Sequence, residues 1–144
     1  MLKIRDCTFD EILAVHLQIP ELSAPDGIAA YQDRIDGRPN VALIATVRGV
    51  PVAFKLGYAI SRVRFYSWIG GVIPAHRSKG IAQELIDAQE RIVAERGFSM
   101  IEVKSMNRFQ NMLKLLISNG YQISGYEAKN GPDEAKILFC KTLG

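Results

Sequence analysis

Along the 144-residue chain the apolar positions switch between two spacings, and the switches mark out elements. Residues 2–5 (LKIR) alternate as a short strand does, and Asp6 to Asp10 supply turn and cap residues. EILAVHLQI then has helical spacing, which Pro20 should end. Residues 20–40 hold three prolines and two glycines, which predicts one short helix over residues 27–36 between loops. Irregular segments of this kind often carry specificity.

VALIATV and VAFKLGYAI, separated by Arg48 to Pro51, read as a strand pair. In the second, Val52, Phe54, Leu56, Tyr58 and Ile60 recur at every other position, with Lys55 and Gly57 on the opposite face. RVRFYSWIGGVI is a further strand, rich in aromatic and β-branched residues. Its Gly70-Gly71 pair predicts a bulge or a close approach by another group. From Ser78 to Arg96, Ile81, Leu85, Ala88 and Ile92 share one helical face, and Gly97 stops the helix. SMIEVKS is the next strand. Asn107 and Gln110 form a capping box for a helix over 108–119, which Gly120 ends. YQISGYE and AKILFCK read as the last two strands. The order predicts a mixed α/β or α+β fold built on one sheet, with residues 1–144 as a single domain.

Composition narrows this little. Hydrophobic residues at 48% and charged residues at 23% are ordinary for a globular protein. A net charge of +3 does not indicate nucleic-acid binding. Cys7 and Cys140 suggest neither a disulfide framework nor a metal site, so a reduced cytoplasmic protein is expected. No signal-peptide pattern and no apolar run of membrane-spanning length is seen.

The charge is local where it matters. GVIPAHRSKGIAQEL, residues 71–85, gathers His76, Arg77 and Lys79 around Gly80 between a strand and a helix. Unpaired amides at a helix start, with the helix dipole, form an anion site, and glycine lets a ligand come close. A phosphorylated ligand follows from that physics. The bland alternative is a helix start with solvated basic residues, and a lone R-x-x-G would favour it.

With its flanks, V-I-P-A-H-R-S-K-G-I-A resembles the signature of the GCN5-related N-acetyltransferase (GNAT) family, V-x-P-x-x-R/Q-x-x-G-x-G/A. The matching positions are Val72, Pro74, Arg77, Gly80 and Ala82. NRFQNMLKLLISNGYQISGYE is similar to the family's second motif, and the element order agrees over nearly the whole chain. The resemblance implies a GNAT-like fold, a central mixed sheet of about six or seven strands with four helices. It implies acetyl-coenzyme A as co-substrate, with the pyrophosphate on amides of Arg77, Ser78, Lys79, Gly80, Ile81 and Ala82. Pantetheine would lie where two parallel strands part, bonded around Gly71 and Val72, with Asn107 as a further contact.

Direct attack on a thioester needs a neutral amine, and a lysine-like amine has a pKa of about 10.4. Many family members carry a glutamate in the fourth strand, but residues 61–74 contain no acid here. The family's tyrosine acid aligns with Leu116, which has no proton to give. Tyr66, Ser67 and Tyr121 are the candidates to replace these groups, with Tyr126 and Glu102 behind them, though strand tyrosines are usually core. His16 reads as a packed histidine, His76 as packing beside the phosphates and Trp68 as core or pocket wall. The acceptor pocket should draw on residues 20–40 and 55–68. Two readings stay open: an N-acetyltransferase acting on a small-molecule or peptide amine, and an acetyl-coenzyme A-binding module without turnover. A homodimer through an exposed sheet or helix surface is expected.

Overall fold

In the computed structural model, which describes residues 1–144, the alternating N-terminal run is β1 (Leu2–Asp6). Thr8 then caps α1 (Phe9–His16) through a reciprocal box, its side chain accepting from the Glu11 amide while the Glu11 carboxylate accepts from the Thr8 amide. The helix ends well before Pro20, because Gln18 and Ile19 donate three residues back and tighten the chain into turns. α2 (Ala29–Ile35) follows. The pair β2 (Asn40–Val47) and β3 (Val50–Ala59) leads into β4 (Arg64–Val72) and a 3-10 turn over Pro74–His76. α3 (Ile81–Glu95), β5 (Met100–Met106), α4 (Gln110–Ser118), β6 (Gln122–Glu127) and β7 (Lys136–Thr142) complete the chain.

The seven strands form one sheet in the order β1-β2-β3-β4-β5-β7-β6, with the mixed architecture and four α-helices expected. Every neighbouring pair is antiparallel except β4–β5, whose crossover is α3. One face is covered by α1 and α2, over Ile12, Val15, Tyr31, Ile35, Phe54, Leu56 and Tyr58. The other packs on α3 and α4 through Leu85, Ile86, Val93, Phe65, Ile101, Leu116 and Phe139. Fully burying a large apolar side chain of this kind contributes about 1.5–3 kcal/mol.

Two expectations about faces need correction. Phe54, Leu56 and Tyr58 share the α1–α2 face, but Val52 belongs to the other core. A bulge shifts the β2–β3 register between Ala45 and Thr46, so the alternation skips there. Ile60 lies beyond the strand and is exposed. Within β4 the bulge is not at the double glycine. Leu56 pairs with Ile69 and Tyr58 with Tyr66, so the extra residue falls at Ser67–Trp68. Gly70 and Gly71 answer to the other alternative, close approach by another group. A side chain at Gly70 would begin 2.9 Å from the Phe54 carbonyl, and one at Gly71 would begin 2.7 Å from Ile19 Cδ1.

Candidate active site

The β4 bulge positions the site. Parallel pairing of β4 with β5 runs from Arg64↔Met100 only to Ser67↔Val103. Beyond it β4 stays with β3 as far as Val72, while β5 stays with β7 as far as Met106. Each strand keeps its outer partner while the inner edges separate, because a bulge bends and twists the strand that holds it. A cleft of about 1030 Å³ opens there, lined by β4, β5, the turn before α3, and the start of α4.

The free edge of β4 offers donors to this gap. Ile73 donates to Val52 O at 2.9 Å, and the antiparallel alternation then points the Gly71 amide at β3 and those of Gly70 and Val72 at the gap. Gly71 lines the cleft but its amide faces β3 and its missing side chain leaves room for Ile19, while the Gly70 amide faces the gap.

Six consecutive amides, Ser78 to Gln83, have no hydrogen-bond partner within the protein. A helix start leaves four unpaired, and the turn adds to them because Ser78 (φ 63°) and Gly80 (φ 80°) take left-handed backbone. That geometry also explains why α3 starts at Ile81 rather than at Ser78. The row begins one residue later than expected, since the Arg77 amide donates to Pro74 O. The Arg77 side chain is engaged as well: Nε donates to Val72 O at 3.1 Å and the guanidinium pairs with Glu21. Arg77 fastens the turn to β4 and to the segment after α1. Ser78, Gly80, Ile81 and Ala82 line the cleft, whereas Lys79 is exposed and does not.

At the other end lie Tyr66 and Ser67, the last residues of β4 paired with β5. Ser67 Oγ is buried without a partner, as is His76 Nδ1, and both residues line the cleft. Buried polar atoms are nearly always bonded, so two orphans among the cleft-lining residues suit a polar ligand. Tyr66 packs edge-on against Tyr58 at 5.6 Å, and burial pushes its phenol up to about 12.

Two expected residues lie elsewhere. The Tyr121 hydroxyl donates to Glu90 at 2.9 Å within the α3–β7 packing, with Lys141 beside it, and neither Tyr121 nor Glu90 lines the cleft. Asn107 neither lines the cleft nor caps α4. Its amide donates to Ala135 O, Phe109 occupies the cap position, and Gln110 turns its side chain back to the Asn107 carbonyl. Arg108 and Phe109 line that wall instead.

A second cavity of about 280 Å³ shares Arg34, Tyr66, Val103 and Lys104 with the cleft. Arg34 Nε donates to the Tyr58 hydroxyl at 2.8 Å, and its guanidinium stacks 5.0 Å above Trp68. Tyr31 backs Trp68 edge-on at 6.1 Å. His16 fixes Tyr31 in turn: the Ser23 carbonyl can only accept, so Nε2 donates to it at 3.0 Å and Nδ1 accepts from Tyr31 at 2.7 Å.

The family model for the GNAT acetyltransferases matches residues 10–116. The chain belongs to the GNAT family. Solved structures agree on the fold. The ribosomal-protein-S18-alanine N-acetyltransferase from Escherichia coli superposes at a TM-score of 0.84 and 13% identity, covering 99% of this chain and 94% of its own. Ard1 from Thermoplasma volcanium gives 0.81 at 17% identity, with 99% and 97% covered. A GNAT family acetyltransferase from Elizabethkingia anophelis with acetyl-CoA bound gives 0.77 at 13%, with 99% and 98% covered. No curated protein matches the chain by sequence. No helix of this GNAT domain is long and apolar enough to cross a membrane. Arg34 was missed in the sequence, although a helix over 27–36 sets Tyr31 and Arg34 on one face, three residues apart.

Proposed function

We propose that this acetyltransferase moves an acetyl group from acetyl-coenzyme A to the primary amine of a small molecule or peptide by direct attack. The observation that carries the reading is the row of six unbonded amides, Ser78 to Gln83, beside a sheet parted at Ser67–Val103. The residues fit the co-substrate. The six amides and the α3 dipole suit its diphosphate, the Gly70 and Val72 amides suit the amide links of pantetheine, and Ser67 Oγ and His76 Nδ1 gain partners. When bound, acetyl-coenzyme A supplies an already activated acyl group, so positioning carries much of the rate.

Tyr66 stays protonated far above neutrality, so its hydroxyl still carries a proton at the end of the gap, and the donor role assigned to it rests on its place in both cavity walls. The carboxylates lining the two cavities are Glu21 and Glu102, and each is already paired, with Arg77 and Arg64. With no unpaired carboxylate at hand, the acceptor loses its proton to solvent before attack. The expected signature is a kcat/KM that climbs about tenfold per pH unit below the pKa of the amine. A flat profile near neutrality would reveal an internal base.

The missing strand acid and the aliphatic Leu116 favour a second reading, a binding module without turnover. Calorimetry with coenzyme A, run beside thiol release across an amine panel, separates the two. Tight binding with no release would establish the module. We propose one domain over residues 1–144, since all seven strands join one sheet. The free thiols of Cys7 and Cys140 support a cytoplasmic setting, testable by localising a tagged chain. Exposed Ile123 and Tyr126 on the edge strand β6 are the surface for a homodimer, and a monomeric mass by light scattering would exclude it.

A further inference from the structure

Three charged side chains face the smaller cavity: Arg34, Glu102 and Lys104. Glu102 accepts from Arg64 at 2.9 Å, and Lys104 donates to Glu127 at 2.8 Å. Arg34 has no carboxylate partner. Its Nε bond to Tyr58 and its stack on Trp68 fix the guanidinium plane and leave both Nη groups without a protein partner. Arg38, 5.0 Å above the Tyr58 ring, puts a second positive charge beside that residue, although it lines neither cavity. A guanidinium held in one plane with its fork free matches a carboxylate bidentately.

We infer that this cavity holds the acceptor by a carboxylate on Arg34, so that the substrate is a small amino acid-like molecule carrying both an amine and a carboxylate. Naming that ligand as the acceptor rests on the acetyltransferase reading; the carboxylate site itself does not. The geometry orients it. Arg34 and Tyr66 are walls common to both cavities, so a molecule anchored on Arg34 turns its other end toward Tyr66 and the gap. About 280 Å³ suits one small molecule. An amine lacking the carboxylate meets an unneutralised positive wall.

The test compares phenylalanine with phenethylamine, tyrosine with tyramine, and lysine with cadaverine, binding each by calorimetry to the full chain saturated with coenzyme A. The amino acids should bind roughly 10- to 100-fold tighter than their decarboxylated partners. Arg34→Met should erase that ratio while coenzyme A affinity is kept, Arg34→Lys should retain part of it, and Tyr58→Phe should reduce it. Equal affinities in the native chain, no binding of any amino acid, or an unchanged ratio in Arg34→Met would overturn the inference. Thiol release from acetyl-coenzyme A is run on the same pairs. Preferential binding without release keeps the carboxylate site and removes the transferase; equal release from both members of each pair does the reverse.

Discussion

The turn before α3 and the mouth beside Tyr66 are both polar surfaces, made of different material. The turn presents main-chain donors, six amides in a row, and owes them to two left-handed residues and a helix start. The mouth presents side chains from α2 and from strands β3 to β7, with one guanidinium held by an aromatic hydroxyl and an indole. A backbone site recognises a ligand's charge and shape through a local chain conformation, so it suits a constant co-substrate. A side-chain site can change one group at a time, so it suits the variable partner.

The sharpest way to break this contrast is at Gly80. A side chain there would point into open space, with nothing within 4 Å of its first carbon. Glu in that place fills the cradle with negative charge and strains a backbone at φ 80°, at a cost of about 1–2 kcal/mol. Gly80→Glu should lower coenzyme A affinity at least about 100-fold by calorimetry, with the melting temperature down by only a few degrees. Retained affinity would refute the main-chain account of the turn.

Next in size is Tyr66→Phe, which tests whether the mouth reaches the chemistry. Turnover should fall by roughly 10- to 100-fold while KM for acetyl-coenzyme A moves less than about twofold. The variant keeps the ring packed on Tyr58, so lost folding would not explain the drop. An unchanged kcat reduces Tyr66 to a wall.

The same contrast decides what could be read from the chain. The turn is written in consecutive residues, Val72 to Ala82, so both its motif and its physics are visible without coordinates. Element order was legible for the same reason, since each period is local. The β4 bulge was not: glycine looked like its marker, but it formed at Ser67–Trp68, where pairing with β3 and separation from β5 compete. Arg77 looked free because its partners, Glu21 and Val72 O, are brought to it only by the fold. Tyr121 looked available because nothing nearby in sequence announces Glu90. Arg34 is the mirror case, unremarkable on its helix until Trp68 and Tyr58 arrive from two strands.

Lys55 sharpens the comparison through stability. It lies along the cleft on β3 against Gly70, has no ion pair, and burial pulls its ammonium down to about 8 despite some support from Glu90. At neutral pH both folded and unfolded chains carry the proton, so the fold bears the cost of partly desolvating this half-buried ammonium. As pH rises from 8 toward the ordinary value of about 10.5, the folded chain sheds that proton first and stability increases. Lys55→Met should therefore stabilise the protein by about 1–3 kcal/mol in urea at pH 7 and flatten that alkaline rise. A destabilised variant would mean that the ammonium has a partner in the cleft wall.

The smallest effect separates the two regions by pH. His16 is 3% exposed, and burial lowers its pKa below the ordinary value of about 6.5, the Ser23 contact opposing only in part. The neutral ring is the one that accepts from Tyr31 while donating to Ser23. The unfolded chain takes the proton first as pH falls, so this contribution is intact above about 6.5 and declines below it, by no more than about 1.4 kcal/mol per pH unit. The strain enters at the mouth, because Tyr31 backs Trp68 and Trp68 carries Arg34. Between pH 7 and pH 5, protection against hydrogen exchange, corrected for the slower intrinsic exchange at low pH, should fall first in α1 and α2, while the bonded α3 amides from Glu84 onward keep theirs. His16→Gln should remove that pH dependence from α1 and α2. Loss of protection beginning in α3 would place the acid-labile element at the turn and reverse the order argued for the two regions.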